Sequence, residues 1–391
     1  MQRFVIKGGG RKICVVTGSR ADYGLLYWVI RAIQDDGDFF LQLVVSGSHL
    51  SPEFGLTYKI IEDDGFFIDA KVEMLLSSDS PVGIAKSIGM GTIGFADAFA
   101  RLKPDLLLLL GDRFEILSAT QAAMVARIPI AHIAGGDITE GAYDDSIRHA
   151  TTKMAHLHFV TNEDAASRVR QLGEDPDLVF NVGSPGIDFI RRMQLLPREE
   201  LFGKLGFSLR QKNLLVTFHP ETLSSVGGKD EFASLLEALE HFDQLGFGQI
   251  ITKPNADNEG RAISKMIDEY VARSINARAY VSLGQSLYLS TVAQIDCVVG
   301  NSSSGLYEAP SFRKPTVNIG NRQKGRLQAP SVLNCCASAS AIIESINKAL
   351  ELDCTDVVNP YGDGHSAEKI LRVLKQTNFS NLIQKKFFHG F

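Results

Sequence analysis

The sequence predicts an α/β protein built from two parallel-sheet units, and three observations carry that expectation. Short runs apolar on both faces, such as "KICVVTG", "LQLVVSG" and "DLLLLLGD", each end in Gly, Asn, Asp or Ser. Strands buried on both faces are what a parallel sheet covered by helices requires. Segments of helical length, Leu25 to Asp35 and Glu115 to Ala126, lie between such runs. The same alternation restarts after Pro197, and 391 residues are too many for one core but suit two domains of roughly 200 residues or fewer.

Taken in order, the first unit reads "KICVVTG", "LQLVVSG", "DLLLLLGD", "PIAHIAGGD", "HLHFVTN" and "LVFNVG" as strands, after a loose leader "MQRFVIKGGGRK". The second reads "NLLVTFHP", "GQIITKPN", "ARAYVSL", "DCVVGN" and "PTVNIG". The boundary falls near residues 186 to 205. The expected domains are 1–190, 191–365 and a terminal segment, 366–391, whose helix (Ser366 to Leu382) packs back across the junction.

Composition excludes several classes. Apolar residues make up 45% and charged residues 22%, as in a globular enzyme. The net charge, 40 − 45 = −5 with no basic block, argues against nucleic acid as partner. Five cysteines without a CxxC pair give neither a disulfide framework nor a zinc site, so a cytoplasmic location is expected. The longest aliphatic run, Leu106 to Leu110, falls far short of the roughly 20 residues that cross a membrane.

Ligands of open parallel sheets bind just outside the carboxyl ends of the strands, so the polar residues there come next. "GSRADY" follows the first strand and reads either as an anion site with Arg20 or as a turn with a helix cap at Asp22. "LLLLLGDRFE" then sets Asp112, Arg113 and Glu115 at a strand exit. "HIAGGDITEGAYDDSIRHA" adds His132, Asp137, Glu140, Asp144, Asp145, Arg148 and His149 after the next strand. Carboxylates crowded at neighbouring strand ends suit acid and base work. The structural alternative has Asp144 or Asp145 capping the helix from Ser146 to His156, with Arg148 pairing to Asp144 one turn back. A metal held by His132, Asp112 and Asp137 is the minority reading, because none of the three stands in an HxxxH, HxH or Asp-x-Asp pair.

In the second unit "TFHPET" places His219 and Glu221 just past a strand, with Pro220 fixing the turn. "VVGNSSSGLYEAP" follows another strand. There Gly300 and Gly305 admit close approach, Ser302, Ser303 and Ser304 offer hydroxyls and the first amides of a helix, and Glu308 can accept from two ribose hydroxyls. "GNRQKGR" adds Arg322, Lys324 and Arg326, able to clamp a diphosphate. The stretch from the serines to this loop is neither GxxxxGK[ST] nor GxGxxG. A diphosphate and ribose on one domain, with the attached group facing acids on the other, has the shape of a nucleotide sugar.

The motifs "TGSRADYG", "LGDRFE", "HIAGGD", "YDDSIRHA", "TKMAHLHF", "FHPET", "GNSSSGLYEAP" and "NIGNRQKGR" together resemble the hydrolysing UDP-N-acetylglucosamine 2-epimerases of sialic-acid-type biosynthesis, from about residue 12 to 375. The resemblance implies two Rossmann-like domains of GT-B type with the active site in the interdomain cleft. It implies a cytoplasmic homo-oligomer, dimer or tetramer, that acts without metal or nicotinamide cofactor. UDP and N-acetylmannosamine would be released by elimination to a glycal and water addition with inversion at carbon 2. By motif, Asp112, Asp144 and His219 match the catalytic residues, and Arg20, Arg113 and Arg148 line the sugar and phosphate side. Ser302, Ser303, Glu308 and Arg322 match the UDP site and Asn255 a further cleft residue. Asp22, Asp137, Ser304 and Gly305 complete the substrate-side candidates. Ala134 departs from the family, many members of which carry Glu in His-Ile-Glu-Gly-Gly. Asp137 or Glu140 could substitute, or the gap could admit a 2,4-diacetamido-2,4,6-trideoxy sugar, the legionaminic acid precursor. A GT-B glycosyltransferase and a nucleotide-sugar sensor are the alternatives of other classes.

Overall fold

A computed structural model describes residues 10–76, 80–138, 143–219, 228–254 and 260–390. The expected leader over residues 1–9 lies outside these. The chain divides into two compact units, Met1–Phe189 with Tyr361–Phe391, and Ile190–Pro360.

The first unit holds a seven-stranded sheet made of β1 (Arg11–Thr17), β2 (Phe39–Ser46), β3 (Ala70–Val72), β4 (Leu106–Leu110), β5 (Ile130–Ile133), β6 (Leu157–Val160) and β7 (Val179–Asn181). Its order is β3-β2-β1-β4-β5-β6-β7 and its pairings are parallel. The double-sided apolar pattern has a direct cause. Ile13 and Val15 of β1 face one layer with Leu26, Ile30, Ile370 and Leu374, while Cys14 and Val16 face the other with Phe95, Phe99 and Ile116.

The second unit holds β8 (Asn213–Thr217), β9 (Gly248–Thr252), β10 (Ala277–Tyr280), β11 (Cys297–Gly300), β12 (Thr316–Ile319) and β13 (Val332–Cys335) in the order β10-β9-β8-β11-β12-β13, again parallel. Each sheet reverses its winding once, between β1 and β4 and between β8 and β11. A crevice opens at such a switch point.

Two strands escape the sequence pattern, β3 and β13, and both are sheet edges. β3 has three residues and β13 places exposed Asn334 on the same face as buried Val332, so neither presents a run apolar on both faces. The first helix begins at Arg20 rather than Leu25, because Ser19 caps it: the Ser19 hydroxyl accepts from the Asp22 N–H at 3.3 Å and donates to the Asp22 carboxylate at 2.8 Å. Asp22 therefore sits in the first turn and is not the cap. The helix expected from Ser146 runs Tyr143–Met154, which puts Asp144 and Asp145 inside its first turn, not at a cap. The terminal helix, Ser366–Gln376, packs on the helix Arg20–Asp35 of the first unit. Asp188 holds its start, accepting from the N–H groups of Ser366 at 2.8 Å and Ala367 at 2.7 Å.

Candidate active site

At the first unit's switch point, the exits of β1 and β4 bring Asp22, Arg113 and Glu115 together. Glu115 is completely buried, and Arg113 donates to its two oxygens at 3.2 and 3.3 Å while standing 3.9 Å from Asp22. Burial pushes the Glu115 and Asp22 carboxyls up, and Arg113 opposes it in both. Gly47, at φ +57, lies against this pair: a Cβ there would come within 2.5 Å of the Glu115 carboxylate and 2.7 Å of the Gly18 carbonyl oxygen. A buried carboxylate forked by one guanidinium fixes Arg113 as a half-exposed cation pointing from the strand end.

At the same β4 exit, Asp112 follows Gly111 and accepts a hydrogen bond from Arg148 of the helix Tyr143–Met154. Arg148 also donates to the Asp137 carbonyl at 2.7 Å and stands 3.6 Å from Asp145. The expected Arg148–Asp144 pair is replaced by these contacts. Asp144 is thereby left without a hydrogen bond or ion pair among the described residues. Burial raises its carboxyl, and the neighbouring Asp112 charge raises it further, against Arg113 and Arg148. A carboxylate so placed is a better proton acceptor than an ordinary aspartate at the same pH. Asp137 is anchored instead: its Oδ1 accepts from Thr161 at 2.8 Å and from Asn162 at 3.4 Å. Arg20 is exposed and makes no side-chain hydrogen bond or ion pair among the described residues.

His132 takes no part in metal binding, for both its ring nitrogens are used. Nε2 donates to the Gly111 carbonyl at 2.7 Å, which fixes the tautomer, so Nδ1 accepts from Thr152 at 3.1 Å. Burial lowers its pKa from 6.5 to about 3. It ties the exits of β4 and β5 to the Asp144-bearing helix. Below pH 6.5 the unfolded chain therefore binds a proton that the folded protein refuses, so this stabilisation is full above 6.5 and shrinks toward 3. His132→Gln should lower the thermal midpoint more at about pH 7 than at about pH 5. An equal deficit at both values would show that His132 is not held neutral.

In the second unit, the switch point between β8 and β11 is organised by Asn301. Its side chain brackets the His219 peptide, Oδ1 accepting from the His219 N–H at 2.7 Å and Nδ2 donating to the carbonyl at 2.8 Å. Its own carbonyl accepts from Arg322 at 3.0 Å and Gln323 at 2.8 Å. One buried amide thus links the histidine turn to the basic loop. The helix expected after the serines is a single turn, Ser304–Tyr307, running into a 3₁₀ turn, Ala309–Phe312, that contains Pro310. Pro310 lacks the N–H that a longer helix would need. Ser303 makes no capping bond, and Ser302 Oγ accepts from the Ser304 N–H at 3.3 Å. Gly305 packs on Thr316, where a Cβ would stand 2.5 Å from the threonine methyl. Tyr288 donates to Ser304 Oγ at 2.8 Å. Glu308 Oε2 is buried without a hydrogen-bond partner among the described residues, and burial pushes its carboxyl up. An acceptor left open at that position suits a hydroxyl donor.

The structure therefore brings together Asp22, Arg113, Asp112, Asp144, Arg148 and Asp137 in one unit. In the other it gathers His219, Ser302, Ser303, Ser304, Gly305, Glu308 and Arg322. Asn255, Glu140 and Glu221 lie outside the described residues. Sequence reasoning passed over Asn301, Gln323 and Tyr288 as site residues. Asn301 stood inside the quoted Gly-Asn-Ser run, and a buried strand-end Asn is a signal for a backbone bracket. Nothing local marked Tyr288.

Parallel sheets with charged side chains at their switch points define a two-unit α/β protein of GT-B-like architecture. The sequence matches the family described as UDP-N-acetylglucosamine 2-epimerase over residues 31–375, and the chain belongs to that family of enzymes. A hydrolysing GDP/UDP-N,N'-diacetylbacillosamine 2-epimerase of Campylobacter jejuni is 39% identical, with 96% of this chain and 98% of that one covered. Polysialic acid biosynthesis protein P7 of Escherichia coli is 36% identical, over 93% and 94% of the two chains. The crystal structure of UDP-GlcNAc 2-epimerase from Neisseria meningitidis bound to UDP-GlcNAc shares the fold, with a TM-score of 0.77, 20% identity and coverage of 94% of this chain and 100% of that one.

Proposed function

We propose that this protein is a hydrolysing UDP-sugar 2-epimerase that releases UDP and inverts carbon 2 of a 2-acetamido sugar. The observation that carries the reading is Asp144: a carboxylate of raised proton affinity, without a hydrogen bond or ion pair among the described residues, beside the Arg148-bound Asp112. The second unit recognises the leaving group. Arg322 and the serine hydroxyls meet the diphosphate, and the open oxygen of Glu308 accepts from the ribose. As the carbon 1–oxygen bond breaks, negative charge grows on the diphosphate and a cation there lowers the barrier. The hydrogen on carbon 2 has no adjacent carbonyl to acidify it, so Asp144 removes it only as UDP departs. Water then adds to carbon 1 while a proton returns to the opposite face of carbon 2. Asp112 and His219 are the partners that supply and remove those protons.

For the sugar, the 2,4-diacetamido-2,4,6-trideoxy compound is the better supported substrate. The Campylobacter jejuni relative carries the diacetylbacillosamine name, and Ala134 is a smaller, uncharged residue where many family members carry Glu. UDP-N-acetylglucosamine is the second reading, favoured by the ligand of the neisserial structure. The purified protein is to be incubated with each UDP-sugar and no acceptor, and UDP release scored. A glycosyltransferase lacking an acceptor would release UDP only slowly, and a sensor would release none. In the same assay Ala134→Glu should reduce kcat/KM for the diacetamido sugar by about tenfold or more through steric exclusion, since one misfitting group in a pocket is worth 1–3 kcal/mol. Ala134 already holds φ +61, so the backbone strain is present before the substitution. Equal, unchanged rates on both sugars would remove this position from substrate choice.

A cytoplasmic homo-oligomer belongs to the same proposal. The helix Pro81–Leu102 leaves Val82, Met90 and Ile93 exposed along one stripe, the kind of face a second copy covers.

A further inference from the structure

The helices that carry the candidate chemistry share a second feature at their other ends. Phe114–Val125 is capped by Arg113 and carries Glu115 in its first turn, and Tyr143–Met154 carries Asp144 in its first turn and Arg148 in its second. The two pack side by side, and each is about 18 Å long at 1.5 Å per residue. Their C-terminal ends open on a cavity of about 240 Å³ in the same unit. Its walls are apolar: Met124 and Ile128 from the end of one helix, Met154 from the other, and Ile383 from the C-terminal segment.

Its charges are cationic and unequally satisfied. Lys385 donates to the carbonyls of Lys153 and Ala155, at 2.5 and 2.6 Å, and to Glu174 at 2.6 Å. Lys153 meets the same Glu174 at 2.7 Å. One carboxylate thus balances two ammonium groups, and His158 adds a further hydrogen bond to it at 2.9 Å. Arg127, at the rim, makes no side-chain hydrogen bond or ion pair among the described residues. His156 adds no further positive charge, since its Nδ1 accepts from the Ile130 N–H at 3.1 Å and burial lowers its pKa to about 4. Three cations against a single carboxylate, around apolar walls, leave a site short of negative charge.

We propose that this cavity binds a small organic anion with an apolar body, such as an aromatic or branched carboxylate, with Arg127 as the principal counter-ion. The apolar part fills the space between Met124, Met154 and Ile383, and the anionic group meets Arg127 and the Lys153 ammonium. A ligand there bears on the C-terminal turns of both helices whose N-terminal halves, with the cap at Arg113, carry Glu115, Asp144 and Arg148. By reciprocity, occupancy and sugar-nucleotide binding then change one another's affinity by the same factor. The coupling rests on the epimerase reading, whereas the binding does not.

The experiment uses the full chain, with benzoate as probe and inorganic phosphate as the arm lacking an apolar part. Titration calorimetry should show benzoate binding to the wild type and at least about tenfold weaker binding to Arg127→Gln, the loss expected for one charge contact of about 1.4 kcal/mol. Phosphate should bind more weakly than benzoate. Arg127→Gln is an exposed substitution remote from the proposed chemistry, so its turnover without benzoate should equal wild type. Benzoate should shift the KM of the wild type for the UDP-sugar and leave that of Arg127→Gln unmoved. Benzoate binding that is absent, or equal in the two proteins, overturns the site. Phosphate binding as tight as benzoate overturns the amphipathic ligand class. Arg127-dependent binding with an unchanged KM overturns the coupling alone. No UDP release by the wild type would count against the epimerase reading and leave the calorimetric result standing.

Discussion

Asp112→Asn should fold like the wild type and turn over about 100- to 10,000-fold more slowly, the range for losing a positioned acid or base. Asparagine keeps the volume and hydrogen-bonding reach of the side chain, so the strand exit after Gly111 is undisturbed. Arg148 stays in place because the Asp137 carbonyl still accepts from it at 2.7 Å and Asp145 stands 3.6 Å away. What is lost is the charge that faces Arg148 and raises the proton affinity of Asp144. Asp144→Asn should fall by a similar factor, for it removes the base itself. The two effects should not add in full in the double variant, since the Asp112 charge also sets the proton affinity of Asp144 and the two are coupled. Steady-state UDP release and the thermal midpoint are the readouts. Near-wild-type turnover in both single variants would remove this pair from the chemistry.

Gly300→Ala should be the most damaging single substitution in the second unit, costing about 3 kcal/mol or more of its stability and abolishing measurable UDP binding. Gly300 ends β11 at φ +134, a conformation that side chains rarely adopt, and a Cβ there would overlap the Thr217 carbonyl of the neighbouring β8. That carbonyl accepts from the Asn301 N–H at 3.1 Å. The strands can accommodate the methyl only by parting, which displaces Asn301 and with it His219, Arg322 and Gln323. Gly89→Ala, on a helix face with no atom within 4 Å of the added carbon, is the control. It should leave stability equal or raised by a few tenths of a kcal/mol, since Ala is the better helix former. A Gly300→Ala protein with the control's midpoint and normal UDP affinity would mean the β8–β11 contact does not set the site.

The fold was legible in the sequence because parallel strands buried on both faces must be apolar throughout. Leu106–Leu110 is the plainest case, with all its residues buried. The edge strands β3 and β13 were hidden for the converse reason: each has only one covered side. The site was legible at the level of strand ends, where Asp112, Asp144, His219 and the serine run stand in obvious positions. The partnerships were not. Whether Arg148 meets Asp144 one turn back or Asp112 across the sheet depends on where its helix begins, and no residue spacing fixes that start to within one turn. Asn301 escaped for another reason: its role is to satisfy a peptide group 82 residues earlier, a long-range bond that leaves no local pattern.

The reaction in heavy water tests the proposed function most directly. Removal of the carbon 2 hydrogen as UDP leaves, followed by protonation on the opposite face, must exchange that hydrogen with solvent. A glycosidase-like route through an oxocarbenium ion leaves it untouched. Early product examined by proton NMR and mass spectrometry should be the manno-configured sugar carrying about one solvent deuteron at carbon 2, by this elimination logic. A gluco-configured product, or a manno product that kept its original hydrogen, would contradict the proposed mechanism even if UDP were released rapidly.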